Sequence, residues 1–147
     1  MYKRYSDSSA IVAMFLLSAN SALSSEQGFT AIGCIELFEM EASGEGDSCA
    51  LIGRKNQAEQ RAIDTLEENG NAVCKSLSDN DPSFWAAYCQ MVCENNGYED
   101  SNGGFSMCSY EVTDTDVWEE NGCFTGDRQH NRQEADVQCG CECSTRL

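Results

Sequence analysis

From Asn56 to Leu77 the chain reads NQAEQRAIDTLEENGNAVCKSL, with Ala62, Ile63, Leu66, Val73 and Leu77 recurring at helical spacing and Glu, Arg and Asn between them. That spacing gathers the apolar side chains into one stripe of an α-helix, and such a stripe is ordinarily core. Cys74 falls on the stripe, and Gly70 marks a place where the helix is expected to break. A second helix is announced by its ends. Asp81 is a good N-cap and Pro82 suits the first helical position, where a missing N–H costs nothing. The run SFWAAYCQMVCEN then continues until NNG stops it, which predicts a helix over Pro82 to Asn95. Trp85, Cys89, Val92 and Cys93 share one of its faces, so the two cysteines point the same way.

Elsewhere the pattern is weaker. Between Ser25 and Gly53, Ile32, Ile35 and Phe38 could line one face before EASGEGDSC, so the segment reads as irregular or strand followed by a loop. YEDSNGGF and SYEVTDTDVWEENG, polar with interspersed aromatics, read as exposed loops, and GDRQHNRQEAD reads as a charged loop. Near the end, Cys139 and Cys141 flank Gly140, so in a strand both sulfurs project from one face.

The amino terminus changes the picture of what is folded. Lys3 and Arg4 precede the apolar run AIVAMFLLSA and then NSALSS, the signature of a secretory signal peptide cut after Ser24, with cuts after Ala22 or Ser21 nearly as good. The apolar run is about half of the roughly 20 residues needed to span a bilayer, so no membrane insertion of the mature chain is expected. Residues 1–24 are thus read as signal and 25–147 as a single disulfide-rich domain, with 25–80 a helical extension and 81–147 the core. Cleavage removes Lys3, Arg4 and Asp7, turning 9 basic and 25 acidic residues into 7 and 24 and leaving a net charge near −17. Such a surface repels nucleic acid and anionic membranes, which are bound through Lys and Arg clusters.

All ten cysteines follow the signal, and in an exported chain of this size they indicate a disulfide framework. No metal or other cofactor is expected: Cys89 and Cys93 are separated by three intervening residues rather than two, and the single histidine, His130, stands alone. DTDVWEENG has calcium-like acidic spacing, but Trp118 sits where an oxygen ligand is needed, leaving a solvated acidic loop as the default. His130 could partner a Ser and an Asp, but its charged surroundings give it no catalytic signature.

Cys89 and Cys93, the Gly-rich NNGYEDSNGG, Cys108, and then Cys139 with Cys141 occur in an order that resembles the cysteine-stabilised αβ fold of invertebrate defensins and, among them, the macins. Phe84-Trp85 looks like the aromatic lead-in to the macin helix, and Cys123 stands where macins carry an additional cysteine. The resemblance covers about half of the mature chain and implies an α+β fold in which a helix is stapled to an antiparallel β-hairpin, here with an additional N-terminal helix. Those families are cationic, whereas Phe84 to Leu147 is acidic, so the resemblance carries a fold and not a membrane-disrupting activity. A helical turn rises about 6 Å and two strand positions about 6.6 Å, a match that predicts Cys89–Cys139 and Cys93–Cys141 bridges. Cys108 is then expected to pair upstream, with Cys74.

Two function classes follow. The first is a secreted, non-enzymatic binding protein of the defence or intercellular-signalling type. It would meet a basic extracellular protein surface through Tyr98, Tyr110, Asp116, Trp118, Glu119 and Glu120, aromatics serving as anchors and acids as steering charges. The alternative is a small secreted hydrolase using acidic residues, which would need polar groups gathered in a cleft.

Overall fold

The computed structural model describes residues 4–5 and 30–146, so the expected export signal lies outside the described residues apart from Arg4 and Tyr5. In chain order the elements are β1 (Arg4–Tyr5), β2 (Thr30–Ser48), α1 (Arg54–Ser76), α2 (Pro82–Asn95), β3 (Asp100–Cys123) and β4 (Gly126–Arg146). The strands form one antiparallel sheet in the order β1-β3-β4-β2, a small disulfide-rich α+β architecture.

Central strand β4 sets the arrangement. Its alternate residues Gln129, Asn131, Gln133, Ala135, Val137, Cys139, Cys141 and Cys143 are all buried, as the two-residue pleat requires of a strand with one covered face. Both helices lie on that face. One core gathers Leu66 and Cys74 of α1 with Met107, Tyr110 and Val112 of β3 and Val137 of β4. The other packs Cys89 and Cys93 of α2 on Phe105, Cys141 and Cys143, with Trp85, Tyr88 and Val92 around them.

The α1 helix is continuous through Gly70, contrary to the expected break. Ala58, Ala62, Leu66, Gly70 and Cys74 form a buried stripe of mostly small side chains at four-residue spacing. The small residues allow close approach. A Cβ on Gly70 would stand 2.5 Å from Met107 Sδ, one on Gly44 2.7 Å from Leu66 Cα, and one on Gly46 2.5 Å from the Ala58 carbonyl oxygen. EASGEGDSC therefore belongs almost entirely to β2, its glycines forming a trough in which α1 lies. The α2 helix has the ends expected of it, with Asp81 accepting a 3.3 Å hydrogen bond from Phe84 N–H.

The three other segments read as loops are strands as well. YEDSNGGF enters β3, SYEVTDTDVWEENG runs within it, and GDRQHNRQEAD lies in β4; only Phe124 and Thr125 separate the paired ends Cys123 and Gly126. Gln129, Asn131 and Gln133 occupy buried positions where apolar residues would have announced the alternation. Thr115 Oγ1 donates to Gln133 Oε1 at 2.9 Å and Gln133 Nε2 to Asn131 Oδ1 at 2.6 Å, so this stretch of the covered face is partly amide-lined.

All ten cysteines are paired: Cys34–Cys108, Cys49–Cys123, Cys74–Cys139, Cys89–Cys141 and Cys93–Cys143. The α2 helix is stapled to β4 by two bridges, but two residues further along than the expected Cys89–Cys139 and Cys93–Cys141. The reason is steric order along one strand. The end of α1 reaches β4 first, so Cys74 takes Cys139 and leaves Cys141 and Cys143 to α2. Cys108 bonds Cys34 of β2 rather than Cys74. That bridge joins the two strands that flank β4.

Peptide mapping without reduction is expected to return these five links, and a Cys89–Cys139 peptide would refute the register. Gly46→Val should destabilise the fold by about 1–3 kcal/mol in urea titration, because the added side chain meets the α1 backbone.

Candidate interaction surface

Because Met40, Ala42, Tyr110, Val112, Ala135 and Val137 face the helices, the residues between them face outward. The register sets these outward residues in rows. Glu41 stands opposite Asp136 and Asp136 opposite Glu111, three carboxylates abreast across the sheet. Ser43, Glu134 and Asp114 form the next row, followed by Glu45, Arg132 and Asp116, then Asp47, His130 and Trp118. Shallow depressions on this face are lined by Glu41, Arg132, Glu134 and Asp136, and by Glu36, Glu39, Glu111 and Asp136.

Cations are sparse here and already engaged. Arg132 reaches Glu134 at 3.1 Å and Glu45 at 3.8 Å, and Arg128 donates to Asp47 at 2.6 Å. That hydrogen bond, assisted by the charges of Arg128, His130 and Arg61, holds the Asp47 carboxyl below its ordinary value of 3.8 against a smaller desolvation cost. Like charges directly opposite in neighbouring strands oppose pairing by about 0.2–1 kcal/mol, so Glu41 opposite Asp136 works against the sheet that carries them.

Trp118 and His130 stack nearly parallel, 3° between planes with ring centroids 5.0 Å apart, and Glu120 Oε2 lies 3.4 Å from His130 Nε2. The structure thus gathers Asp116, Trp118 and Glu120 on the acidic face, while the pleat turns Glu119 to the opposite face. Tyr98 packs against the α2 core at the other end of the molecule, and Tyr110 is 1% exposed, its hydroxyl donating to Glu67 at 3.0 Å. Among the described residues no cluster has the geometry to hold a metal ion, and no helix is long and apolar enough to cross a membrane.

No protein-family model, curated protein or solved structure matches the chain. The surface must therefore be read from its own chemistry. Sequence reasoning missed two parts of it. Glu41, Glu134 and Asp136 come together only through strand register, which the apparent loops concealed. At the hairpin end, Phe124, Ile52 and Leu51 are the most exposed large hydrophobics among the described residues, and the Cys49–Cys123 bridge ties together the two segments that carry them. Their apolar positions beside cysteines were the available signal.

Since the Asp47 carboxyl is held below its ordinary value, the Arg128 pair contributes stability that is full above about pH 4 and is lost as pH falls through the folded-state value. Both side chains are over a third exposed, so the contribution is small. Asp47→Asn should flatten the stability loss below pH 4 in urea midpoints; an unchanged acid limb would show that the pair contributes nothing.

Proposed function

We propose that this chain is exported, oxidised to its five-bridge form, and acts as a non-enzymatic binding protein whose acidic sheet face receives a basic protein surface. The outward carboxylates, with Glu41 directly opposite Asp136, carry this reading: like charges that oppose their own sheet are stabilised when an external cation sits over them. The disulfide framework supports the oxidising compartment, since such bridges persist outside the reducing cytosol. Trp118, backed by His130 and flanked along its strand by Asp116 and Glu120, supplies an aromatic contact at one end of the face. Defence and intercellular signalling are the settings in which a compact, stapled, acidic module of this kind would serve.

The test uses ribonuclease A, a folded basic protein without tryptophan, and Trp85→Phe protein, so that Trp118 is the only fluorophore of its type. Binding should shift Trp118 emission at 10 mM salt and fade at 150 mM, as the Debye length shortens from about 30 Å to about 8 Å. Asp136→Asn should weaken binding about twofold to fivefold while raising stability by about 0.2–1 kcal/mol, because it relieves the row. Anionic liposomes should not leak. Binding insensitive to both salt and Asp136→Asn, or potent leakage, would overturn the reading.

A further inference from the structure

The acidic face ends at the outer edge of β3, where a strand from the same chain is seated. There β1 pairs antiparallel with β3, placing Arg4 opposite Glu111 and Tyr5 opposite Tyr110. Glu111 belongs to the row with Asp136 and Glu41, so a strand added at this edge extends a row of three acids by one position, and the residue standing at that position is basic. Although β3 runs from Asp100 to Cys123, β1 covers its edge only at Tyr110 and Glu111 among the described residues.

We propose that the β3 edge from Tyr110 to Asp116 is a strand-addition site for an extended basic segment of the partner, the pairing of Arg4–Tyr5 at that edge being its intramolecular counterpart in the uncleaved chain. The inference rests on the acidic-face reading and names the form in which the basic partner arrives. Main-chain hydrogen bonds to an open edge supply affinity without regard to sequence, and side chains at alternate positions supply the choice of partner. Here the choice is electrostatic. A strand longer than β1, continuing in the same antiparallel register, runs past Val112 toward Asp114 and Asp116, whose neighbours on β4 are Glu134 and Arg132. A second copy of this edge would set acid against acid, which disfavours self-pairing, whereas Lys or Arg in the added strand would meet Glu111 and, beyond the β3 bulge between Val112 and Asp114, the carboxylates of Asp114 and Asp116.

The edge is separable from the rest of the fold. Every disulfide and both cores lie within residues 30–146, so a form beginning at Ser25 retains them while lacking β1. The experiment compares residues 25–147 with the full chain, using as probe the hexapeptide MYKRYS (residues 1–6) and a copy N-methylated at its Arg and second Tyr amides. The copy keeps the charge and loses main-chain donors. Amide chemical shifts provide the readout. Residues 25–147 should bind the hexapeptide with shifts centred on Glu111 and Val112, and the methylated copy about tenfold or more weakly, the effect of losing main-chain hydrogen bonds. The full chain should also bind the hexapeptide about tenfold or more weakly than residues 25–147, and exposed-face variant Glu111→Lys should weaken it similarly. Equal binding of the two peptides, or equal binding by the two protein forms, overturns the proposal. If ribonuclease A binds residues 25–147 and the hexapeptide does not, strand addition fails and the acidic-face reading stands; if neither binds, both fail. A stable dimer of residues 25–147 that the hexapeptide does not disperse would assign the edge to a second copy and overturn the proposal as well.

Discussion

The covered face of β4 is the constraint from which the other elements take their places. A strand shows one side chain to that face every second residue, and here the positions near its end are Cys139, Cys141 and Cys143. Three sulfurs in a line accept only cysteines that can reach the same line. The end of α1 and one face of α2 are thereby drawn onto a single side of the sheet, one after the other along the strand. For a domain this small, covalent closure compensates for a limited apolar core, and each bridge of this loop size contributes about 2–5 kcal/mol.

The helical part was legible because local chemistry announces it. Asp81 and Pro82 fix the start of α2, and the three- and four-residue recurrence around Leu66 fixes the buried face of α1. The sheet was less legible because two of its devices imitate loops. Gly44 and Gly46 look like chain breakers but provide room for a helix backbone, and Gln129, Asn131 and Gln133 fill inward positions with polar side chains. Periodicity read from hydropathy cannot detect a polar residue facing inward. The bridge pairing failed for a related reason: matched rises show that two cysteine pairs can join, but not which neighbour has already occupied the first position.

The same pleat divides the charge. Along β3 and β4 the outward positions carry most of the acids of the hairpin, and register converts scattered Asp and Glu residues into rows spanning three strands. A sequence shows that a chain is acidic; only the register shows that Glu41, Asp136 and Glu111 stand abreast. Local opposition to sheet pairing is tolerated because the other face is covered by two helices and stapled, so the surface can keep a charge arrangement that would be difficult for an unstapled hairpin to hold.

The order of the bridges has a consequence for biosynthesis. Taken from the amino terminus, the first five cysteines pair with the last five in the same order, the first with the sixth and the fifth with the tenth. A chain entering an oxidising compartment from its amino end therefore presents five thiols before any has its native mate. Bonds formed among them in that interval are all non-native and must be undone by thiol exchange once the later cysteines arrive. An exported chain with this connectivity would accordingly call for a disulfide-isomerising environment, and one that stalls before Cys108 holds no native bridge.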